Sequence, residues 1–504
     1  MIEGTEVGIY LGPGVYPTDA PYSPAEAFPE YPFPTLPTAA PVNRAYQAVR
    51  GALRTLALDP VNIDRPAWNP LGSVIVPGDT VVLKPNFVRD FRESSSDHGN
   101  CLITHGSIIR AVLDYVWIAL RGRGRIIIAD APQNDADFQA IRRIAGLSDI
   151  QTFYARNAGF RVEVYDLRPE FARKIDGVIV GHTSLDGDPA GYVRVDLGRY
   201  SAFTEVNHLC HLLYGAEYDT EEVRKRHHAG THEYLISRTV LGANVVINIP
   251  KLKTHKKVGL TVNMKGMVGI TGNKNWLPHY REGVPLQGGD QFSVDGVRGR
   301  IERRVVAGFK RWFPSLGVMR TLVARPVKTV GKRLFGDTNR GATRSGNWHG
   351  NDTTWRMVLD LNRILFYADS EGRLHHQPVR KFFSIVDGMV SGEGNGPLDS
   401  TPKHTGVVFA GANPVAVDLA CARAMGFDYR RIRMLHRALL GHEFPLSAFD
   451  YGDVLGRSND ERFNRALAEM RGSLLTFEPH FGWKGHIEVA ASPELDERVA
   501  SCAG

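Results

Sequence analysis

Pro250 to Gly269, PKLKTHKKVGLTVNMKGMVG, holds the densest set of side chains able to do chemistry, and the pattern continues to Lys274 and His279. Lys251, Lys253, Lys256, Lys257 and Lys265 supply ammonium groups around the imidazole of His255. Ammonium groups are compact charges suited to phosphate or carboxylate, and a lysine drawn into a cationic cluster loses basicity and can act as base or nucleophile. His255, Lys265 and His279 are therefore the candidate catalytic groups. The two imidazoles and the amine could exchange protons at a carbon centre, or the imidazoles could ligate a divalent metal. Their spacing matches neither HExxH nor a zinc-finger pattern. A solvated basic loop is the competing reading. Position argues against it, because the run directly follows an apolar strand and is interleaved with Pro, Gly and aliphatic residues.

These residues need a scaffold, and short apolar runs supply it. Thr80 to Lys84, Arg125 to Asp130, Arg161 to Tyr165, Asn244 to Ile249, Phe382 to Val386 and Val407 to Ala410 read as strands. Helical spacing covers Val42 to Leu58, Ile108 to Leu120 with Ser107 as cap, Asp137 to Ala145, Asp149 to Asn157 and Thr354 to Tyr367. A further helix opens at Asn413-Pro414 and is closed by Gly426. The alternation predicts an α/β fold of mainly parallel sheets with helices on both faces, in two lobes, carrying a basic helical insertion.

Ligands of such sheets bind outside the carboxyl ends of the strands. Four ends are polar here: Lys84-Pro85-Asn86, Asp130, Pro250 to His255, and Asp387-Gly388 leading to Gly392-Glu393-Gly394-Asn395-Gly396-Pro397. Lys84, Asn86, Lys251, Lys253, Asn263 and Asn395 are accordingly the substrate-binding candidates. His105 joins them ahead of a predicted helix, where it either meets an anion or caps the helix. Asp387 and Glu393 either hold a divalent metal or cap a turn. GEGNGP is not GxGxxG and opens no helix, and there is no Walker A sequence, so a Rossmann dinucleotide site and a P-loop are excluded.

Charge narrows the partners. The 504 residues carry a formal +7, but Arg298 to Arg333 has eleven Lys/Arg against Glu302, a local +10 that leaves −3 for the rest. General nucleic-acid binders spread cations over a face of the fold, so no specific nucleic acid is expected. Val305, Val306, Phe309, Trp312, Phe313 and Leu316 share one helical face in this segment. A basic amphipathic insertion over 298–345 is predicted, either lying on an anionic membrane surface or packed on the body. It divides 1–70, a proline-rich arm and first helix, and 71–297, an α/β core, from 346–504, a second α/β part. Tyr10 to Pro41 is expected to run extended over the surface, its prolines being too dense for a helix or an inner strand. Cys101, Cys210, Cys421 and Cys502 form no CxxC pair, which argues against iron–sulfur, zinc-ribbon and disulfide scaffolds. No apolar run approaches the ~18 residues of a spanning helix. A cytoplasmic protein is expected, membrane-associated on the inner face only through the insertion.

Several motifs occur in a familiar order: GDxVxxKPN at Gly78 to Asn86, NVVINIPKLKTH at Asn244 to His255, NMKGMVG at Asn263 to Gly269, then His279, VDG at Val386 to Gly388, GEGxGP at Gly392 to Pro397 and NPVAVD at Asn413 to Asp418. Together they resemble the bacterial and archaeal family called domain of unknown function 362, over Gly72 to Phe427. Some members append a ferredoxin-like module whose cysteines are missing here, so no iron–sulfur cluster is expected. The set His255, Lys265, His279 is also distantly similar to the lactate racemase family, which carries a nickel-pincer nucleotide on an α/β scaffold. That similarity implies a lysine holding a cofactor covalently at Lys265, and histidines that ligate nickel or shuttle protons at His255 and His279. The glycine pair before that family's lysine is Asn263-Met264 here, and Asp130 or Gln133 stands in place of one of its histidines. The expectation is a shared scaffold rather than a shared cofactor.

Three functions fit these residues. One is an enzyme of isomerase, lyase or oxidoreductase type that binds an anionic small-molecule or glycan-linked substrate and moves protons with lysine and histidine, with or without a divalent metal. Another is a peripheral membrane or scaffold protein of a surface-polymer pathway. The third is a racemase-like or redox enzyme with a metal cofactor.

Overall fold

The computed structural model describes residues 2–36, 42–92, 94–95, 99–175, 178–215, 220–293, 344–472 and 474–489. The expected basic insertion, Arg298 to Arg333, lies outside them.

Lys381–Asn395, Val245–Ile249, Thr80–Pro85, Arg125–Asp130 and Val162–Asp166 run parallel, in that order, through a ten-stranded sheet. On the other side of Lys381–Asn395, Asp399–Gly411 joins antiparallel, followed by Glu6–Leu11 and then Leu455–Ser458. Lys251–His255 and Gly259–Thr261 complete the sheet as a hairpin along the far half of Lys381–Asn395.

The parallel strands are apolar on both faces because both faces are covered. Val81, Leu83, Ile126, Val245 and Ile247 pack with the helices Arg44–Thr55, Gly106–Leu120 and Leu147–Ala158. Val82, Ile127, Val246 and Phe382 face the opposite core, with Thr354–Tyr367 and Pro414–Met425. The α/β class and the helices on both faces are as read. Strands from 1–70, 71–297 and 346–504 all enter this one sheet, so the two expected lobes share it.

The arm departs from its expected course. Within it Tyr22, Tyr31 and Phe33 pack into the same core as Arg44–Thr55, and just ahead of it Glu6–Leu11 is an inner strand with Val7 and Ile9 fully buried. Proline restricts only the backbone here. The aromatic rings, each able to bury roughly 150–250 Å², draw the segment inward. Helix ends follow their caps. Asn413 Oδ1 accepts from Val415 and Ala416 N–H at 2.7 and 3.1 Å, and Gly426 closes the helix at φ 84°. The helix read from Ile108 starts at Gly106 instead, capped by His105 rather than Ser107. Among the described residues no helix is long and apolar enough to cross a membrane.

Candidate active site

The basic motif is a strand, and that is what turns it inward. All five residues of Lys251–His255 are buried, with Lys251 opposite Asp387 and Lys253 opposite Gly392. Alternation along a strand puts Lys251, Lys253 and His255 on one face.

Lys251 Nζ donates to Asp387 Oδ2 at 3.0 Å and to the Tyr16 hydroxyl at 2.6 Å, and Tyr16 donates to Asp387 Oδ1 at 2.5 Å. His105 N–H closes the set on Asp387 Oδ2 at 2.9 Å, and its ring stacks on Tyr16 with centroids 4.0 Å apart. Burial lowers the basicity of Lys251 against the pull of Asp387. Both ends of this pair are therefore committed to the fold. Lys251, expected to bind substrate, and Asp387, expected to bind metal, are here each other's partners. Glu393 pairs with Lys403 at 2.9 Å and accepts from Glu478 N–H at 3.0 Å. Asp387 and Glu393 thus have separate partners, and among the described residues no group of three or more His, Cys, Asp or Glu is placed to hold a metal ion.

Lys84 meets a carboxylate as well. Its Nζ lies 2.8 Å from Asp130 Oδ1, and Asp130 Oδ2 accepts from Phe87 N–H at 2.8 Å. Gly269 passes close over the pair. A Cβ built there would overlap Asp130 Oδ1 and stand 2.8 Å from Lys84 Nζ. Gly269→Ala is therefore expected to push the carboxylate off its partners and cost about 2 kcal/mol or more. Urea denaturation checks it, and a cost below about 0.5 kcal/mol would mean that the pair shifts freely.

Four further lysines have no carboxylate within ion-pair distance among the described residues. Lys253 Nζ donates to Leu102 O at 2.6 Å, Lys274 Nζ to Val268 O at 2.8 Å and Thr271 Oγ1 at 3.1 Å, and Lys257 Nζ to Ser345 O. The side chain of Lys265, a residue 9% exposed, makes no hydrogen bond among the described residues. Burial first, then the field of Lys84, lowers it to about 8. Burial brings Lys253, Lys257 and Lys274 down to about 7, and Lys265 adds to each shift. His255 falls well below its ordinary value through burial and then Lys265, and His279 falls to about 3 through burial, Lys257 and Lys265. His480, also buried, is lowered to about 3 by burial and by Lys256 and Lys257. Lys265 is thus the common electrostatic neighbour of both histidines and three lysines.

The two catalytic-candidate imidazoles are neutral near pH 7 and differ in tautomer. His255 Nδ1 accepts from Lys257 N–H at 3.1 Å, which leaves its proton on Nε2. His279 Nδ1 lies 2.9 Å from Leu277 O and must donate, which leaves Nε2 as an acceptor. One ring offers a proton and the other a lone pair.

The remaining candidates separate. Asn263 is structural: its N–H and Nδ2 both donate to Asp418 Oδ1 at 2.9 Å, and its Oδ1 accepts from Asn248 Nδ2 at 2.9 Å and Ser384 Oγ at 2.5 Å. Met264 N–H donates to Asp418 Oδ2 at 3.0 Å, so Asp418 fixes the turn that carries Lys265. Burial raises Asp418 to about 7. Asn86 N–H donates to Thr104 Oγ1 at 2.9 Å while its buried Nδ2 has no partner among the described residues. His105 acts as a cap, its Nδ1 accepting from Ser107 N–H at 3.2 Å. Asn395 stands opposite Asp399 at the end of the long strand, and no hydrogen bond joins its amide to the lysines among the described residues. Sequence reasoning missed Tyr16, Asp418 and His480. NPVAVD marked Asp418 only as part of a motif.

Residues 170–423 match the family described as a domain of unknown function (DUF362). The chain belongs to that family. The PKLKTH, NMKGMVG, VDG, GEGNGP and NPVAVD motifs of this DUF362 protein fall inside the matched stretch, whereas Tyr16, Lys84 and Asp130 precede it. No curated protein sequence matches the chain. A crystal structure of a Thermotoga maritima protein, a structural-genomics target, is similar at 11% identity and a TM-score of 0.32, over 76% of this chain and 59% of that one.

Proposed function

We propose that this DUF362 protein is an enzyme that takes a small phosphorylated or carboxylated substrate among Lys253, Lys257, Lys265 and Lys274 and moves protons on it with Lys265, His255 and His279. The observation that carries the reading is the gathering of four lysines, three of them buried and Lys257 half-buried, with no carboxylate partner among the described residues. A buried ion without a counter-ion costs several kcal/mol, so these lysines shed protons and an anionic ligand would restore the pairing. Lys253, Lys257 and Lys274 are each anchored to a backbone oxygen and are suited to orient the anion. Lys265 carries no such anchor and is the amine left to act on the substrate. His279 Nε2 offers the acceptor and His255 Nε2–H the donor that proton transfer requires.

Calorimetric titration of the full chain with inorganic phosphate, pyrophosphate and citrate tests the reading. At least one of them is expected to bind, and Lys265→Met is expected to weaken that binding by tenfold or more without changing the far-UV circular dichroism. If none of the three binds the wild-type chain, the lysine cluster is not an anion site.

A further inference from the structure

Lys265 differs from its neighbours in a way that anion binding does not require. Lys253, Lys257 and Lys274 each spend hydrogen bonds on backbone oxygens, and Lys84 and Lys251 on carboxylates. Lys265 is 9% exposed, and its amine has no hydrogen-bond partner among the described residues. Its backbone, by contrast, is held firmly. Asp418 takes the N–H groups of Asn263 and Met264, and Asn362 Nδ2 donates to Met264 O at 2.9 Å. A fixed backbone under an unpinned amine is suited to bond formation, because the lone pair can be presented to an incoming atom at no hydrogen-bonding cost.

We propose that Lys265 is a covalent nucleophile that condenses with the carbonyl of a substrate also bearing a carboxylate or phosphate, forming a protonated imine. The proposal rests on the anion-binding reading above, which it extends to a substrate class: 2-oxo acids and phosphorylated aldehydes or ketones. Lys253 and Lys274 hold the anionic group and so bring the carbonyl carbon to the amine. The amine lone pair forms the C–N bond while the C=O π pair moves to oxygen, which takes a proton from a neighbouring ammonium. His279 Nε2 accepts a proton from the new nitrogen and returns it to the hydroxyl, which leaves as water as the nitrogen lone pair forms C=N. The net change is one carbonyl, one amine and one proton giving one iminium and one water, with no oxidant or reductant consumed. Burial and Lys84 keep a usable fraction of the amine neutral near pH 7 to 8.

The test uses glyoxylate and pyridoxal 5′-phosphate, two aldehydes with an anionic group, each incubated with the full chain and reduced with borohydride before peptide mapping by mass spectrometry. With at least one of them, the reduced adduct is expected on Lys265 at tenfold or greater excess over any other lysine. Pyrophosphate is expected to suppress it, and Lys265→Arg to abolish it at that peptide. If pyrophosphate binds but adducts spread evenly over surface lysines, or concentrate on Lys253 or Lys257, the covalent role is overturned and the anion site stands. If none of phosphate, pyrophosphate and citrate binds the wild-type chain, the anion site and the covalent role fall together.

Discussion

Asp387→Asn is expected to lower the stability of the chain by about 3–5 kcal/mol, the usual consequence of removing one partner of a buried ion pair. Lys251 and Asp387 are both fully buried, and the ammonium would keep only neutral acceptors, the new amide oxygen and the Tyr16 hydroxyl, with no counter-charge among the described residues. Tyr16 would in turn lose the carboxylate that receives its proton, and with it the tie between the N-terminal arm and the middle of the sheet. The cost is that of an uncompensated charge and not the worth of the contact. A Lys251→Met, Asp387→Leu double variant, which removes both charges, is therefore expected to be more stable than Asp387→Asn alone. Urea denaturation of the three chains decides the matter. A single variant within about 1 kcal/mol of wild type would show that the pair contributes little.

In buffer free of multivalent anions, stability is expected to rise from pH 7 to pH 9. Lys253, Lys257 and Lys274 titrate at about 7 in the folded chain and Lys265 at about 8, whereas an unfolded lysine titrates near 10.4. Between those values the unfolded chain binds more protons than the folded one, and stability then climbs with pH, by up to about 1.4 kcal/mol per pH unit for each lysine. Below pH 7 other groups intrude. His255, His279 and His480, lowered on folding, lose stability as the medium becomes acidic, while Asp418, raised to about 7, acts in the opposite sense. The interval from 7 to 9 is thus the one in which the lysines dominate. Pyrophosphate, which needs those lysines protonated, is expected to raise the melting temperature more at pH 7 than at pH 9. A melting temperature that falls steadily from pH 7 to 9 without added anion would sink this account.

Local pattern carried the fold a long way. Thr80–Pro85, Arg125–Asp130 and Val245–Ile249 are apolar on both faces, and the cap and glycine around Pro414–Met425 work as their residue types suggest. Local pattern failed where a strand is polar or flanked by breakers. Lys251–His255 reads as a basic run that follows a strand, and not as a strand itself, until its partner Lys381–Asn395 is known, and Glu6–Leu11 runs straight into a glycine-proline stretch. The site divides in the same way. Lys253, His255, Lys265 and His279 stand in one short stretch whose chemistry is visible at once. Tyr16 acts on groups 235 and 371 residues away, and Asp418 on one 155 away, so neither has a nearby signal. Nor does residue type distinguish Lys251, which neutralises a carboxylate, from Lys253, which does not.

The order of strands in the central sheet bears on how the protein is to be handled. The stretch that matches the family omits Glu6–Leu11, Thr80–Pro85, Arg125–Asp130, Val162–Asp166 and Leu455–Ser458. Cut at those bounds, the chain would lose the neighbours of Val245–Ile249 on one side and of Asp399–Gly411 on the other, leaving two bare apolar edges of the kind that template aggregation. The recognisable part of this protein is a guide to relatedness and not an excisable module, and work on its chemistry calls for at least the sequence from Glu6 through Ser458, which holds every strand of the sheet.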